Sequence, residues 1–515
     1  MAFIIGLDIG STSIKANIYN ENGNLVSGGS KPTELFHPDS QHPNWAIWDP
    51  DNIWKAVKDS LLQALNKIDS KHDIKAISVT GFGMDGVPVD KTGKWLFPFI
   101  SWHCSRTEEQ CNRWSSYVGA ENIFMISGKQ IMHIDTVYRI LWVRENYPDI
   151  LKNTYKWLLI EDYINYLLCG AIATDYSMAS CTEMFDQKKR QWSSELLGRA
   201  GINISILPEP LPAGTVLGNI SSRASEETGL PQSVKVVLGG HDYHCAALAV
   251  GAFVPETIMS INGTWEMILQ SSNLPKLENE VYKNGINVES HVARGIYDIM
   301  ASAVSGFMYD WLRNTLCFEE KIEAKNNNTS DWDIIRKKAA TAPAGSNGLF
   351  FAPYFAGAGT PHLDNRATGA FIGMSVTTDK SCIIRSVIEA LNYQFKNMLE
   401  AFERASGSPA RKIVATGGAS QNVFWTQNKA DITGKIIEVP AVAEATPLGA
   451  ALISGIGVGI YKDERDAYES TYSTGSIYEP DAKNIAVYED YYSIYKSLYP
   501  DLKNINNSIY ERFRK

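Results

Sequence analysis

The chain has 515 residues, a formal net charge of -9, and 44% apolar and 20% charged residues. The length exceeds what one ordinary core organises and points to two large domains, and the composition excludes a disordered or membrane-embedded chain. The acidic balance excludes a global basic field that would recruit nucleic acid or anionic lipid.

The opening "MAFIIGLDIG" has no basic n-region and meets Asp8 at once, so it does not read as a secretory signal. No apolar run reaches the length of a membrane span. The seven cysteines are scattered without a Cys-x-x-Cys pair, the pattern of reduced thiols in a cytoplasm and not of a disulfide scaffold or a zinc site.

"FIIGLDIG" predicts a buried strand, "SIKANIYN" a second, and "ENG" a hairpin turn before a third. "DPDNIWKAVKDSLLQALNKI" predicts a capped helix with Ile53, Trp54, Val57, Leu61, Leu62 and Leu65 at helical spacing. "IKAISVTGFG" is a buried strand ending in glycines, followed by "MDGVPVD". At 239–253, "GGHDYHCAALAVGAF" sets a glycine pair and Asp242 at the start of a small-residue helix.

The opening grammar then repeats. "ETIMSINGTWEMILQSS" is again strand, polar turn, strand, and "RKIVATGGASQNVFWTQNKADITGKIIEVP" is strand, glycine turn, capped helix, strand. "EAKNNNTSDWD" (323–333) reads as a polar surface loop, and the tyrosine-rich C-terminus as packed helices. The expectation is an α/β fold of two like halves, residues 1–251 and 252–515.

Three turns carry candidate chemistry. Gly10, Ser11, Thr12 and Ser13 aim amides and hydroxyls into one volume, as an anion nest does, with Lys15 adding charge and Asp8 placed to hold a hydrated Mg²⁺. Gly263 and Thr264 form a second such turn. Gly417, Gly418 and Ala419 permit close backbone approach to a flat ring that Asn422 can hydrogen-bond. The alternative for each is an ordinary polar turn, and neither the P-loop nor the dinucleotide motif is present.

Asp242 has three readings: a helix N-cap, a metal site with His241 and His244, or a catalytic base. Asp85 can accept from two vicinal hydroxyls or can simply form an Asp-Gly turn. Trp102 and Arg106 offer an apolar platform and a polar anchor, against a core tryptophan and a surface salt bridge. Asp364 and Arg366 read as structural loop residues.

In this order, "GLDIGSTSIKA", "GGHDYHCAALAVGAF", "NGTWE", "TPHLDNRATGAFIGMS" and "TGGASQNVFW…ADITG" resemble the FGGY family of carbohydrate kinases over nearly the whole chain. The resemblance implies two actin-like ATPase (ribonuclease H-like) domains flanking a central cleft, with ATP and Mg²⁺ as cofactors. It also implies Asp242 as the base for a sugar hydroxyl, Met84, Asp85 and Tyr243 at the sugar, and Thr264 and Gly306 at the nucleotide. "DGVPVDKTGKWLFPFISWHCSRT" is similar to L-fuculokinases, although His103 and Ser105 depart from their pattern, whereas "LFFAPYFAGAGTPHLDNRATGAF" looks more like xylulokinases and gluconokinases.

The expected reaction is phosphorylation of a ketose, such as L-fuculose or a ketopentose. The alternatives are a polyol or aldonate kinase, an actin-like ATP switch, and a non-catalytic sugar-binding regulator. The expected partner is a small-molecule sugar, with no nucleic acid and no membrane, and a homodimer is one assembly open to it.

Overall fold

A computed structural model describes residues 2–513. Its first sheet contains β1 (Phe3–Ile9), β2 (Ser13–Asn20), β3 (Leu25–Pro32), β4 (Ile74–Gly81), β5 (Val216–Asn219) and β6 (Lys235–His241), in the order β5-β6-β4-β1-β2-β3. β1, β2 and β3 form an antiparallel meander, while β4 pairs in parallel with both β1 and β6.

The second sheet contains β7 (Thr257–Asn262), β8 (Trp265–Ser272), β9 (Asn287–Ser290), β10 (Tyr297–Val304), β11 (Lys412–Thr416), β12 (Ile436–Pro440) and β13 (Thr474–Tyr478). Its order is β9-β10-β8-β7-β11-β12-β13. It repeats the plan: β7, β8 and β10 are antiparallel, and β11 and β12 join β7 in parallel. Two α/β sheet units of one topology thus flank a central region, as in the actin-like, ribonuclease H-like fold.

The first helix, α1 (Pro50–Leu65), begins as its sequence demands. Asp49 caps it by accepting from Asn52 N, Pro50 occupies the first turn, and Ile53, Trp54, Val57, Leu61 and Leu65 are buried. Leu62 instead stays 37% exposed on the outer edge of the apolar stripe.

The structure corrects the expected surface loop at 323–333. Helices cover Phe318–Asn326 and α3 (Asp331–Thr341), leaving only a short connection. The polar composition belongs to the solvent faces of these helices, while Ala324, Ile334 and Ile335 turn inward. The tyrosine-rich C-terminus is one helix, Ala482–Phe513, whose Tyr488, Tyr492, Tyr495 and Tyr499 are buried.

Two helices lie between the sheets: α2 (Asp242–Ala249) and α4 (Ala445–Gly457). α2 is buried nearly all round, which explains its run of small residues. α4 comes from the second half of the chain yet packs on α2 and on β1 of the first sheet. A side-chain carbon at Gly449 would lie 1.8 Å from Cys245 O, and one at Gly6 would lie 1.8 Å from Pro447 O. Backbone therefore meets backbone at this crossing.

Among the described residues no helix is long and apolar enough to cross a membrane.

Gly449→Val is expected to destabilise the protein by about 1–3 kcal/mol through overpacking. Gly198→Ala, at an exposed helix position with nothing within 4 Å of the new carbon, should be neutral or slightly stabilising. Equal urea midpoints for the valine variant and wild type would show that the crossing can open without cost.

Candidate active site

Asp242 is the first residue of α2, directly after β6, and lines a cavity of about 820 Å³. The same cavity is lined by Tyr243 and Ala246 from α2, Thr416, Gly417, Gly418 and Gln421 from the turn after β11, and Glu444, the N-cap of α4. Two helix N-termini thus open on one space. Helix N-termini favour an anion, and at α2 Asp242 itself supplies one, accepting from Tyr243 N at 2.6 Å.

A second cavity of about 400 Å³ shares Gly418 and Gln421 with the first. Gly263, Thr264, Gly306, Gly418, Ala419 and Asn422, named from separate stretches of sequence, all line it. Close packing brings the three stretches together. A side-chain carbon at Gly306 would be 2.4 Å from Gly263 O, and one at Gly417 would be 2.5 Å from Asn262 O. Asn422 caps the helix Val423–Thr433 through its carbonyl oxygen, so its amide NH₂ is the end free to meet a ligand.

Tyr309, Asp310, Trp332 and Arg336 complete the wall, with the Tyr309 and Trp332 rings stacked at 4.6 Å. Sequence reasoning missed these four. Trp332 lay in the stretch read as a loop, and the helix pattern of 331–341 was the signal that could have found it.

The first hairpin turn, Gly10 to Ser13, is tied down by Thr33, whose hydroxyl donates to Gly10 O at 2.6 Å. Lys15 does not stand free: its ammonium donates to Glu444 across 429 residues of sequence, at 2.7 Å. Asp8, at the end of β1, is part-buried. Burial, reinforced by the nearby Asp242 carboxylate, pushes its carboxyl up to about 8, against the opposing pull of Lys15. Crowded carboxylates of this kind are a hard-oxygen donor set, and they fit a hydrated Mg²⁺.

On the other side of Asp242 lies the segment after β4. Gly83 N donates to His241 Nε2 at 2.9 Å, so the "GFGMDG" and "GGHDYH" stretches meet beside the Asp242 carboxylate. Met84 adopts a left-handed φ of 73°, held by Thr136, whose hydroxyl donates to Met84 O. Strain at a non-glycine residue is the kind of feature that clusters in functional sites.

Asp85 is fully buried. It accepts from Arg139 Nη2 at 2.8 Å, from Trp48 Nε1 at 2.7 Å and from Trp102 N at 3.0 Å. Burial pushes its carboxyl up to about 6 against the pull of Arg139. Trp102 is half-buried and stacks on His103 at 3.7 Å. Arg106 is committed elsewhere: its guanidinium sits over the rings of Trp45 and Trp142, and its Nε donates to Cys104 Sγ. Asp364, buried, accepts from Arg366 and Tyr499 and shapes its own loop.

Tyr243 turns its hydroxyl towards the second sheet, where it donates to Glu289. Lys129 donates to the other oxygen of Glu289 at 2.9 Å, and His244 bridges Glu289 and Asp298. Burial opposes charge on His244, but hydrogen bonds to the two carboxylates prevail and raise it to about 9. These buried ion pairs clamp the start of α2 to β9 and β10.

His241, Asp242 and His244 do not group as metal ligands. Among the described residues the one such cluster is His244, His291 and Asp298. There His291 Nδ1 accepts the Ala293 N–H at 2.7 Å, so its Nε2 holds the ring proton and cannot serve as a ligand.

The N-terminal-domain model of the FGGY family of carbohydrate kinases matches residues 3–249, and its C-terminal-domain model matches residues 258–458. The chain belongs to the FGGY family. It is 28% identical over 504 residues to a xylulose kinase of Staphylococcus epidermidis, covering 98% of this chain and 97% of that one. It is also 28% identical over 464 residues to an L-fuculokinase of Escherichia coli, covering 90% and 94%.

Among solved structures, gluconate kinase from Lactobacillus acidophilus superposes with a TM-score of 0.88 at 24% identity, covering 97% of this chain and 98% of that one. Xylulose kinase from Rhodospirillum rubrum superposes with a TM-score of 0.87 at 25% identity, covering 98% and 100%. This FGGY protein is therefore an enzyme, a carbohydrate kinase that phosphorylates a small carbohydrate with ATP. FGGY kinases in general use ATP with Mg²⁺.

Two outcomes test these environments. Asp85→Ala leaves Arg139 buried without its carboxylate and should cost about 3–5 kcal/mol of stability by chemical denaturation; wild-type stability would mean that water replaces the carboxylate.

Asp8 binds its proton more tightly in the folded protein than in the unfolded chain. Its contribution to stability is therefore present at low pH and is lost as pH rises from about 4 towards about 8. A ligand that needs the Asp8 carboxylate must expel this proton. Calorimetry of Mg·ADP binding at pH 7, in buffers of different ionisation enthalpy, should show proton release that Asp8→Asn abolishes. Identical heats in all buffers would contradict the assignment.

Proposed function

We propose that Asp242 is the general base of an ATP-dependent ketose kinase, with the sugar between Asp242 and the Gly83–Asp85 segment and the nucleotide across the two cavities. The observation that carries this reading is the position of the Asp242 carboxylate. It lies on the wall of the larger cavity, with glycine turns of the second half opposite and the Gly83 segment joined to its neighbour His241.

The nucleotide's base and ribose occupy the smaller cavity, against Thr264, Gly306, Ala419 and Asn422, and its phosphates extend past Gly417 and Gly418. The amides at the start of α2 and α4, and those of the Gly10–Ser13 turn, meet the phosphate charge. Lys15 joins them once the incoming phosphates compete with Glu444 for its ammonium. Asp8, close to Asp242, would hold Mg²⁺ through water, and the metal, when bound, neutralises charge on the phosphate oxygens.

Asp242 takes the proton of the attacking hydroxyl as phosphoryl transfer proceeds. Closure of the two sheet units over the cavities excludes water, the competing acceptor. On the sugar side Asp85 acts from behind the wall: it fixes Trp102 and the strained Met84 turn, which present the surface the sugar meets.

The ketose reading rests on the names of the relatives, since xylulose and L-fuculose are both ketoses. A primary terminal hydroxyl is the least hindered acceptor for a base at this depth.

Asp242→Asn should keep nucleotide binding and lose turnover by about two to four decades. Coupled ADP release against ketopentoses, deoxyketohexoses, aldonates and polyols tests the substrate. Near-normal turnover of the asparagine variant would return Asp242 to a capping role, and activity only with an aldonate or polyol would replace the ketose.

A further inference from the structure

We infer that His241 is the positioning residue of the base: it holds the Asp242 carboxylate and takes its own orientation from the sugar-side segment. The inference rests on the reading of Asp242 as the base.

His241 ends β6 and is 4% exposed. Its ring is wedged between Gly83, where a side-chain carbon would be 2.5 Å from it, and the ring of Tyr243 at 3.9 Å. The Gly83 amide donates to Nε2. A ring nitrogen that accepts a hydrogen bond carries no proton, so in the neutral imidazole the proton is on Nδ1. The donor is a backbone N–H and has no other role open to it, so the backbone itself dictates the tautomer.

Nδ1 lies 2.7 Å from Asp242 Oδ1 on a bent path and has no aligned acceptor of its own. A buried N–H with one carboxylate oxygen beside it is satisfied by a small rotation of that carboxylate and by nothing else nearby. Oδ1 also accepts from Tyr243 N at 2.6 Å. With Oδ1 bonded to the Tyr243 amide and 2.7 Å from Nδ1, Oδ2 keeps its lone pairs for the proton of the attacking hydroxyl.

At the far end of this contact chain Gly83 precedes Met84, whose left-handed backbone is held by the Thr136 hydroxyl and by a bond from Asp85 N to Gly83 O at 2.9 Å. A sugar that shifts the Met84 turn moves the Gly83 amide, and the ring and the carboxylate follow. Two contacts thus connect substrate arrival to the aim of the base.

Two variants separate this role from that of a strut. His241→Asn places an NH₂ near the Nδ1 position and cannot reach Gly83; His241→Gln places an acceptor near Nε2 for Gly83 and no donor beside Asp242. The expected result is a kcat within about tenfold of wild type for the asparagine variant. The glutamine variant should lose about 100-fold or more in kcat, with the KM values for sugar and ATP changed only a few-fold.

A glutamine variant that outperforms the asparagine variant, or equal effects in the two, overturns the inference. Should both variants fail to fold, nitrogen-15 spectra of the wild-type imidazoles decide: protonated Nδ1 and bare Nε2 at His241 support it, and the opposite tautomer overturns it. Asp242→Asn is assayed alongside, because its near-normal turnover would sink the base reading and not the geometry of His241.

Discussion

The cleft hangs from the place where α4 crosses α2 and β1 with backbone against backbone. Gly449 against Cys245 and Gly6 against Pro447 leave no room for a side chain, so the relation between the two helices is set by peptide geometry and not by adjustable packing. Asp242 opens one of these helices and Glu444 caps the other, and both face the same cavity. The convergence of two helix N-termini follows from the crossing. With it comes a local preference for anions in a molecule whose net charge is -9.

Around this fixed point the buried charges are arranged in closed sets. Asp85 is enclosed by Arg139 and two tryptophans, and Glu289 by Lys129, Tyr243 and His244. Each set satisfies its carboxylate, as burial requires. One set stiffens the wall that carries Trp102, and the other fastens the start of α2 to the second sheet. Asp8 differs: burial and the nearby Asp242 carboxylate push its carboxyl up to about 8.

Much of this plan is legible in the sequence. The two strand–turn–strand openings, the capped helix after Asp49 and the glycine turn at 417 each obey local rules, and Asp242 stands out because a carboxylate precedes a run of small residues. Gly306 and Thr264, separate in the sequence, line one cavity.

What could not be read is non-local. The bond from Lys15 to Glu444 joins residues 429 positions apart, and no pattern near either announces it. The ion pair of Asp85 with Arg139, 54 positions away, is likewise announced by no local pattern. Arg106 reads as an anchor until two indoles enclose it. The stretch 323–333 misleads for another reason: exposed helices and loops share a polar composition, and only the inward spacing of Ala324, Ile334 and Ile335 tells them apart.

The glycine crossing also governs how a molecule of this design can diversify. A junction that admits no side chain resists single substitutions, so Asp242 and the helix ends around it are constrained together. The Met84 turn and the stacked Trp102–His103 pair lie outside that junction, where residues can be exchanged without touching it. A changed side chain there alters the surface beside Asp242 and leaves the junction as it was.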